Sequence, residues 1–125
     1  MIAAAESFGP LAREHLARPR NHGPFAPDAP GSVRSGEAGS RSAGAFVRFH
    51  LRIEDGCIVA ARYEVLGAPA LIAACSYLSE LLQGAPASPQ AMPRGLDLAR
   101  ALALPRAEHG AALLAEDAAR AALTA

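Results

Sequence analysis

The stretch FVRFHLRIEDGCIVAARYEVLG, residues 46–67, decides the fold. Val47, Phe49, Leu51 and Ile53 alternate with Arg48, His50 and Arg52, the period-two pattern of a strand that buries one face. Glu54-Asp55-Gly56 then supplies turn chemistry, because glycine adopts positive φ freely and the two acids tolerate exposure. Residues 57–66 read as the return strand, with Val59, Ala61, Tyr63 and Val65 on one face. A lone hairpin is marginal in water, so its apolar face requires helices.

The flanking chain supplies them. Pro10 suits the first turn of a helix running to about Ala17, which would bury Phe8, Leu11 and either Leu16 or His15. Pro19 stops it, since the residue before a proline is driven out of the helical region. Residues 20–41 are rich in Gly, Pro and Ser. They read as an extended arm with a short edge strand near residues 32–37, and together with residues 1–8 they are expected to be flexible. After Gly67-Ala68-Pro69, Leu71, Cys75, Leu78 and Leu82 recur at helical spacing, giving a helix to about Gln83 that Gly84 ends. Short helical turns follow at Pro89 and over residues 96–102. The last helix starts at Gly110 or Ala111 and runs to Leu123, with Leu114, Ala118 and Ala121 on one side. Helices following a hairpin predict a single α+β domain over residues 1–125, a small antiparallel sheet of about three strands with helices packed on one face.

Composition narrows the function. The chain has 125 residues and a formal net charge of +0, and all 12 basic residues are arginine. Balanced charge without a basic run argues against nucleic acid as a partner. No apolar stretch approaches the roughly 20 residues of a membrane span, and the first residues lack a signal-peptide pattern, so a cytoplasmic location is expected. Cys57 and Cys75 read as ordinary reduced thiols.

Three fragments carry a resemblance. His15-Leu16-Ala17-Arg18-Pro19-Arg20-Asn21-His22-Gly23 is similar to an H-x-x-x-P-R-N-x-G stretch. The hairpin followed by Gly67 occupies the place of a strand-Gly-Cys-helix unit. Leu114-Ala115-Glu116-Asp117-Ala118 matches L-A-E-D-A. In this order and spacing they resemble the IscU/NifU N-terminal family of iron–sulfur cluster scaffold proteins, from about Phe8 to Leu123. The resemblance implies a non-enzymatic scaffold whose cluster is held by three cysteines and an aspartate, a soft tetrahedral donor set. Carried over position by position, those ligands fall on Ala43, Ala45, Ala68 and Ala111. A methyl group cannot bind a metal, so no cofactor is expected. The family's chaperone motif L-P-P-V-K falls on Leu104-Pro105-Arg106-Ala107-Glu108, which lacks the second proline and reverses the terminal charge. With 31 alanines in 125 residues, and with Pro69 and Gly110 also departing from the pattern, natural divergence explains the replacements better than engineering.

Other candidates are weaker. His109, one residue ahead of the expected neighbour of the lost ligand at Ala111, is a candidate metal ligand; a lone loop histidine is more often only solvated. A rebuilt site could combine it with Glu37 or Glu108, whose hard donors favour zinc or another divalent ion. Cys75 reads as core packing, Cys57 as a residue at the far end of the hairpin, and His15 and His22 as surface or packing residues. Arg48, His50 and Arg52 form a basic stripe, either a solvated face or a docking surface for an acidic partner or a second copy. The leading expectation is a degenerate cluster scaffold that keeps a partner-binding surface, the family partner being a cysteine desulfurase or another cluster-assembly protein. The alternatives are a metal-binding protein with a rebuilt site and a purely structural oligomer, the chain being a monomer or small homo-oligomer.

Overall fold

The computed structural model describes residues 7–28 and 30–124. Its elements are α1 (Pro10–Ala17), β1 (Ser32–Ser40), β2 (Ala45–Glu54), β3 (Cys57–Leu66), α2 (Pro69–Leu82), α3 (Gly95–Ala101) and α4 (His109–Leu123), with single 3-10 turns at Pro89–Ala91 and Arg106–Glu108. The strands form one antiparallel sheet in the order β1-β2-β3. The α+β architecture with one small sheet is as expected. Among the described residues, no helix is long and apolar enough to cross a membrane.

Val47, Phe49 and Leu51 are fully buried, while Arg48, His50 and Arg52 remain partly exposed on the opposite face. The helices therefore cover one side of the sheet. The return strand departs from simple alternation. Arg52 pairs with Ala60, but Ile53 pairs with Ile58, so Val59 is the extra residue of a β-bulge. The bulge turns Ile58 into the core in place of Val59; Ala61 and Tyr63 keep the expected inward orientation.

Three further details differ from the pattern-based reading. Phe8 and His15 are buried as expected, but Leu11 stays exposed and Ala12 takes its place in the core. The strand at the sheet edge is nine residues long rather than a short piece near 32–37, and it pairs along its whole length with β2. The last helix begins at His109 and buries Ala112, Ala115, Ala118, Ala119 and Ala122, leaving Leu114 half-buried. That helix, α4, lies across β1 and β2, whereas α2 lies on β3, so the buried face of β2 meets α4 rather than α2. Leu71, Cys75, Leu78 and Leu82 are all buried along α2, as their spacing requires.

Gly36 explains how α4 sits so close. A Cβ built there would lie 2.1 Å from the backbone nitrogen of Ala122. Only glycine admits this approach, and the Arg34 guanidinium donates to the Leu123 carbonyl beside it (3.4 Å). The helix thus covers the edge strand, one way proteins blunt an unpaired sheet edge.

Candidate functional site

The four positions expected to have lost their ligands lie on three loops at one end of the sheet. Ala43 is exposed in the turn between β1 and β2, and Ala45 opens β2 opposite Ser40. Phe46 pairs with Leu66, so Gly67 and the exposed Ala68 leave β3 at the same end, and Ala68 is the N-cap residue of α2. Helix α4 runs antiparallel to β1: its Ala122 end rests on Gly36, while Leu114 approaches Gly39. One turn before Leu114, the half-buried Ala111 falls at that end too. The donor chemistry there is four methyl groups. These four side chains themselves offer no donor to a metal or cluster.

His109 begins α4 and its Nε2 donates to the Leu104 carbonyl at 3.1 Å. Glu37 projects from the other face of the sheet, where it accepts from Arg48 Nε at 2.7 Å. The set of His109, Glu37 and Glu108 is therefore not brought together, because α4 and the Glu37 carboxylate lie on opposite sides of the sheet. Among the described residues, no three or more His, Cys, Asp or Glu side chains form a metal-binding group.

Two fragments that carry the resemblance act as structural clips. In the Pro-Arg-Asn loop, Asn21 takes a left-handed φ of 61°, a conformation asparagine tolerates better than most residues. Its carbonyl accepts the Tyr63 N–H at 3.2 Å, and the Gly23 N–H returns to the Tyr63 carbonyl at 2.7 Å. Asn21 Nδ2 donates to Ser79 Oγ at 3.0 Å, and the Arg20 N–H to Ser76 Oγ at 2.9 Å. His15, buried beneath, places Nδ1 2.7 Å from Ser76 Oγ and Nε2 3.3 Å from Glu80 Oε1. Ser76 Oγ, which accepts from Arg20, has both a proton and a second lone pair to offer His15 Nδ1, and burial favours the neutral imidazole. Burial pushes the His15 pKa below its ordinary value, with the Glu80 carboxylate opposing. Tyr63, fully enclosed against this cluster, has its phenol pushed up to about 12 by burial.

The second clip is Glu116. Its Oε1 accepts the Gly95 N–H at 2.7 Å and its Oε2 accepts from Arg120 at 2.6 Å, while Arg120 also donates to the Pro89 carbonyl at 2.9 Å. Burial alone would raise the Glu116 pKa, but these donors outweigh it and hold the carboxyl below its usual range. One carboxylate thereby ties α3 and the Pro89 turn to α4. Ser76, Ser79 and Glu80 were not singled out from sequence. The usable signal was two serines on an otherwise apolar helix, since buried hydroxyls require partners.

The basic stripe is answered within the sheet. Arg48 bridges Glu37 and Glu64, and His50 joins Glu64 (2.8 Å) to Ser35 (2.7 Å). The hydrogen bond from His50 holds the Glu64 carboxyl below its ordinary pKa. Arg41 stacks on Phe46, 4.3 Å from the ring centroid. Next to this end run two adjoining hollows. One, about 270 Å³, is lined by His22, Gly23, Arg41, Phe46, Glu64 and Leu66 among others; its neighbour, about 420 Å³, by Pro19, His22, Val65 and Ile72. Cys75 is buried, with its thiol pKa pushed up by burial, and Cys57 is exposed at the opposite end of the hairpin.

Residues 11–125 match the family described as the NifU-like N-terminal domain. The mitochondrial iron–sulfur cluster assembly protein 1 of Kluyveromyces lactis is 30% identical over 124 residues, which cover 98% of this chain and 68% of that protein. The iron–sulfur cluster assembly protein IscU of Plasmodium falciparum is 32% identical over 106 residues, covering 85% and 65%. Among solved structures, a SUF-system protein from Fervidobacterium islandicum AW-1 superposes with a TM-score of 0.68 at 14% identity, covering 92% of this chain and 95% of that one. The N-terminal NifU-like protein of Brucella abortus gives 0.65 at 21% identity, covering 93% and 91%. At those identities the structures speak to the fold alone. The sequence matches establish that this chain belongs to the NifU-like N-terminal domain family of iron–sulfur cluster assembly scaffolds, which are not enzymes.

Proposed function

We propose that this protein is a degenerate member of the scaffold family, one that no longer holds a cluster through the family's ligands and retains a partner-binding role in or beside cluster assembly. One observation carries this reading: every expected ligand position is alanine, while the clips around Asn21 and Glu116 that build the fold are intact. The partner would be a cysteine desulfurase or another cluster-assembly protein, acting in the cytoplasm. The surface offered is the hollow beside Pro19, His22, Val65 and Ile72, next to the old ligand end. Persulfide cannot be passed to a methyl group, so the role is that of a regulator, a decoy or a subunit of another assembly. A rebuilt metal site gains no support, since Glu37 and His109 are kept apart.

Restoring the ligands tests the reading. Ala43→Cys, Ala45→Asp, Ala68→Cys and Ala111→Cys in one protein should create a zinc site, because three thiolates and a carboxylate suit its tetrahedral preference. Bound zinc should then raise the melting temperature of the variant and leave the parent unmoved. Pro69 and Gly110 beside two of the loops should keep affinity below that of an ordinary structural site. Stoichiometric metal in the purified parent would overturn the proposal. A variant that binds no zinc would show that the residue correspondence is wrong.

A further inference from the structure

Where the Pro89 turn, the start of α3 and the last turns of α4 meet, a cleft of about 260 Å³ is lined by Pro89, Gln90, Met92, Arg94 and Arg120. No acidic residue lines it. Glu116 lies behind Arg120 with both carboxylate oxygens already engaged, one by Arg120 and one by the Gly95 N–H. The ion pair and the bond from Arg120 to the Pro89 carbonyl fix the Arg120 guanidinium in place, so little rotamer freedom remains to be lost on binding. Arg94 is exposed, and among the described residues no hydrogen bond or ion pair engages its guanidinium. Gln90 accepts from Ser88 through Oε1 at 2.6 Å, which leaves its amide N–H groups as donors.

We propose that this cleft binds a small oxyanion, a phosphate-like dianion, gripped by Arg94 and Gln90 over the fixed Arg120. Two guanidiniums against one spent carboxylate leave the cleft net positive, and arginine's planar fork matches the oxygen spacing of phosphate. Its location also separates it from the old ligand end. Arg120 lies nine residues along α4 from Ala111, roughly 13 Å at 1.5 Å per residue. The inference does not depend on the proposed function.

The test is a titration of the full chain with inorganic phosphate, at constant ionic strength set by chloride, followed by amide NMR. Saturable shifts should concentrate in the backbone amides of residues 90–95 and in the Gln90 side-chain amide. Arg94→Gln should weaken the apparent affinity at least tenfold, while Arg13→Gln on the remote face of α1 should leave it unchanged. The Arg94→Gln variant keeps the backbone carbonyl that accepts the Leu98 N–H and loses only a side chain with no hydrogen bond among the described residues, so its spectrum should change only around Glu116, on which the Arg94 charge acts. Non-saturating shifts spread over many arginines, or equal affinity in the Arg94 variant, would overturn the assignment.

Discussion

Two glycine-to-alanine changes, one beneath α4 and one within it, should act in opposite directions. At Gly36 the new methyl would sit 2.1 Å from the Ala122 nitrogen and 2.5 Å from the Ala121 carbonyl carbon. Non-bonded heavy atoms settle at about 3.5 Å, so α4 would have to lift by roughly 1.4 Å or the strand would have to bend. The neighbours are helix backbone, which cannot rotate aside as a side chain would. Overpacking of this kind costs about 1–3 kcal/mol, and the upper end applies here. Loss of glycine's unfolded-state freedom returns about 0.4–1 kcal/mol. The net expectation for Gly36→Ala is a destabilisation of about 2 kcal/mol. Gly110 is helical and exposed, and a Cβ there meets nothing within 4 Å. Gly110→Ala should therefore stabilise by about 0.5–1 kcal/mol through helix propensity alone. Urea titration with linear extrapolation measures both. If Gly36→Ala falls within about 0.5 kcal/mol of the parent, α4 does not rest on β1 as described, and the account of the covered sheet edge fails.

Stability should decline as the pH drops below about 6.5, the ordinary histidine value. The folded His15 pKa is lowered by burial, so below that value the unfolded chain binds a proton that the folded chain refuses. His15→Gln should flatten the slope between pH 7.5 and 5.5, and a parent whose stability is constant or rises over that range would contradict the neutral, serine-bonded imidazole. Hydrogen exchange should divide the arm of residues 20–41. Residues 24–28, which carry little buried apolar surface, should exchange fastest among the described internal segments. The Gly23 amide should be protected by its bond to the Tyr63 carbonyl and the Tyr63 amide by its bond to the Asn21 carbonyl, and uniform protection across the arm would count against its expected mobility.

Much of this molecule is readable from local pattern. The β2 face of Val47, Phe49 and Leu51 and the α2 face of Leu71, Cys75, Leu78 and Leu82 follow from periods of 2 and 3.6 alone, because large apolar side chains have one stable place to go. That Ala43, Ala45, Ala68 and Ala111 carry no metal donor is likewise a property of the residues, since no arrangement of methyl groups makes a ligand. What required tertiary structure has a different physical origin. Where Ala occupies 31 of 125 positions, an alanine face carries little periodic contrast, so of the expected side of Leu114, Ala118 and Ala121 only Ala118 lies in the fully buried stripe of α4. The bulge that exchanges Val59 for Ile58 is set by the cross-strand register with Arg52 and Ile53. His15 and Ser76 meet across 61 residues, and whether a histidine is a surface group or a buried neutral one depends on what the fold sets against it. Gly36 reads as an edge-strand glycine until α4 is laid over it; only the packed structure makes its missing side chain a requirement.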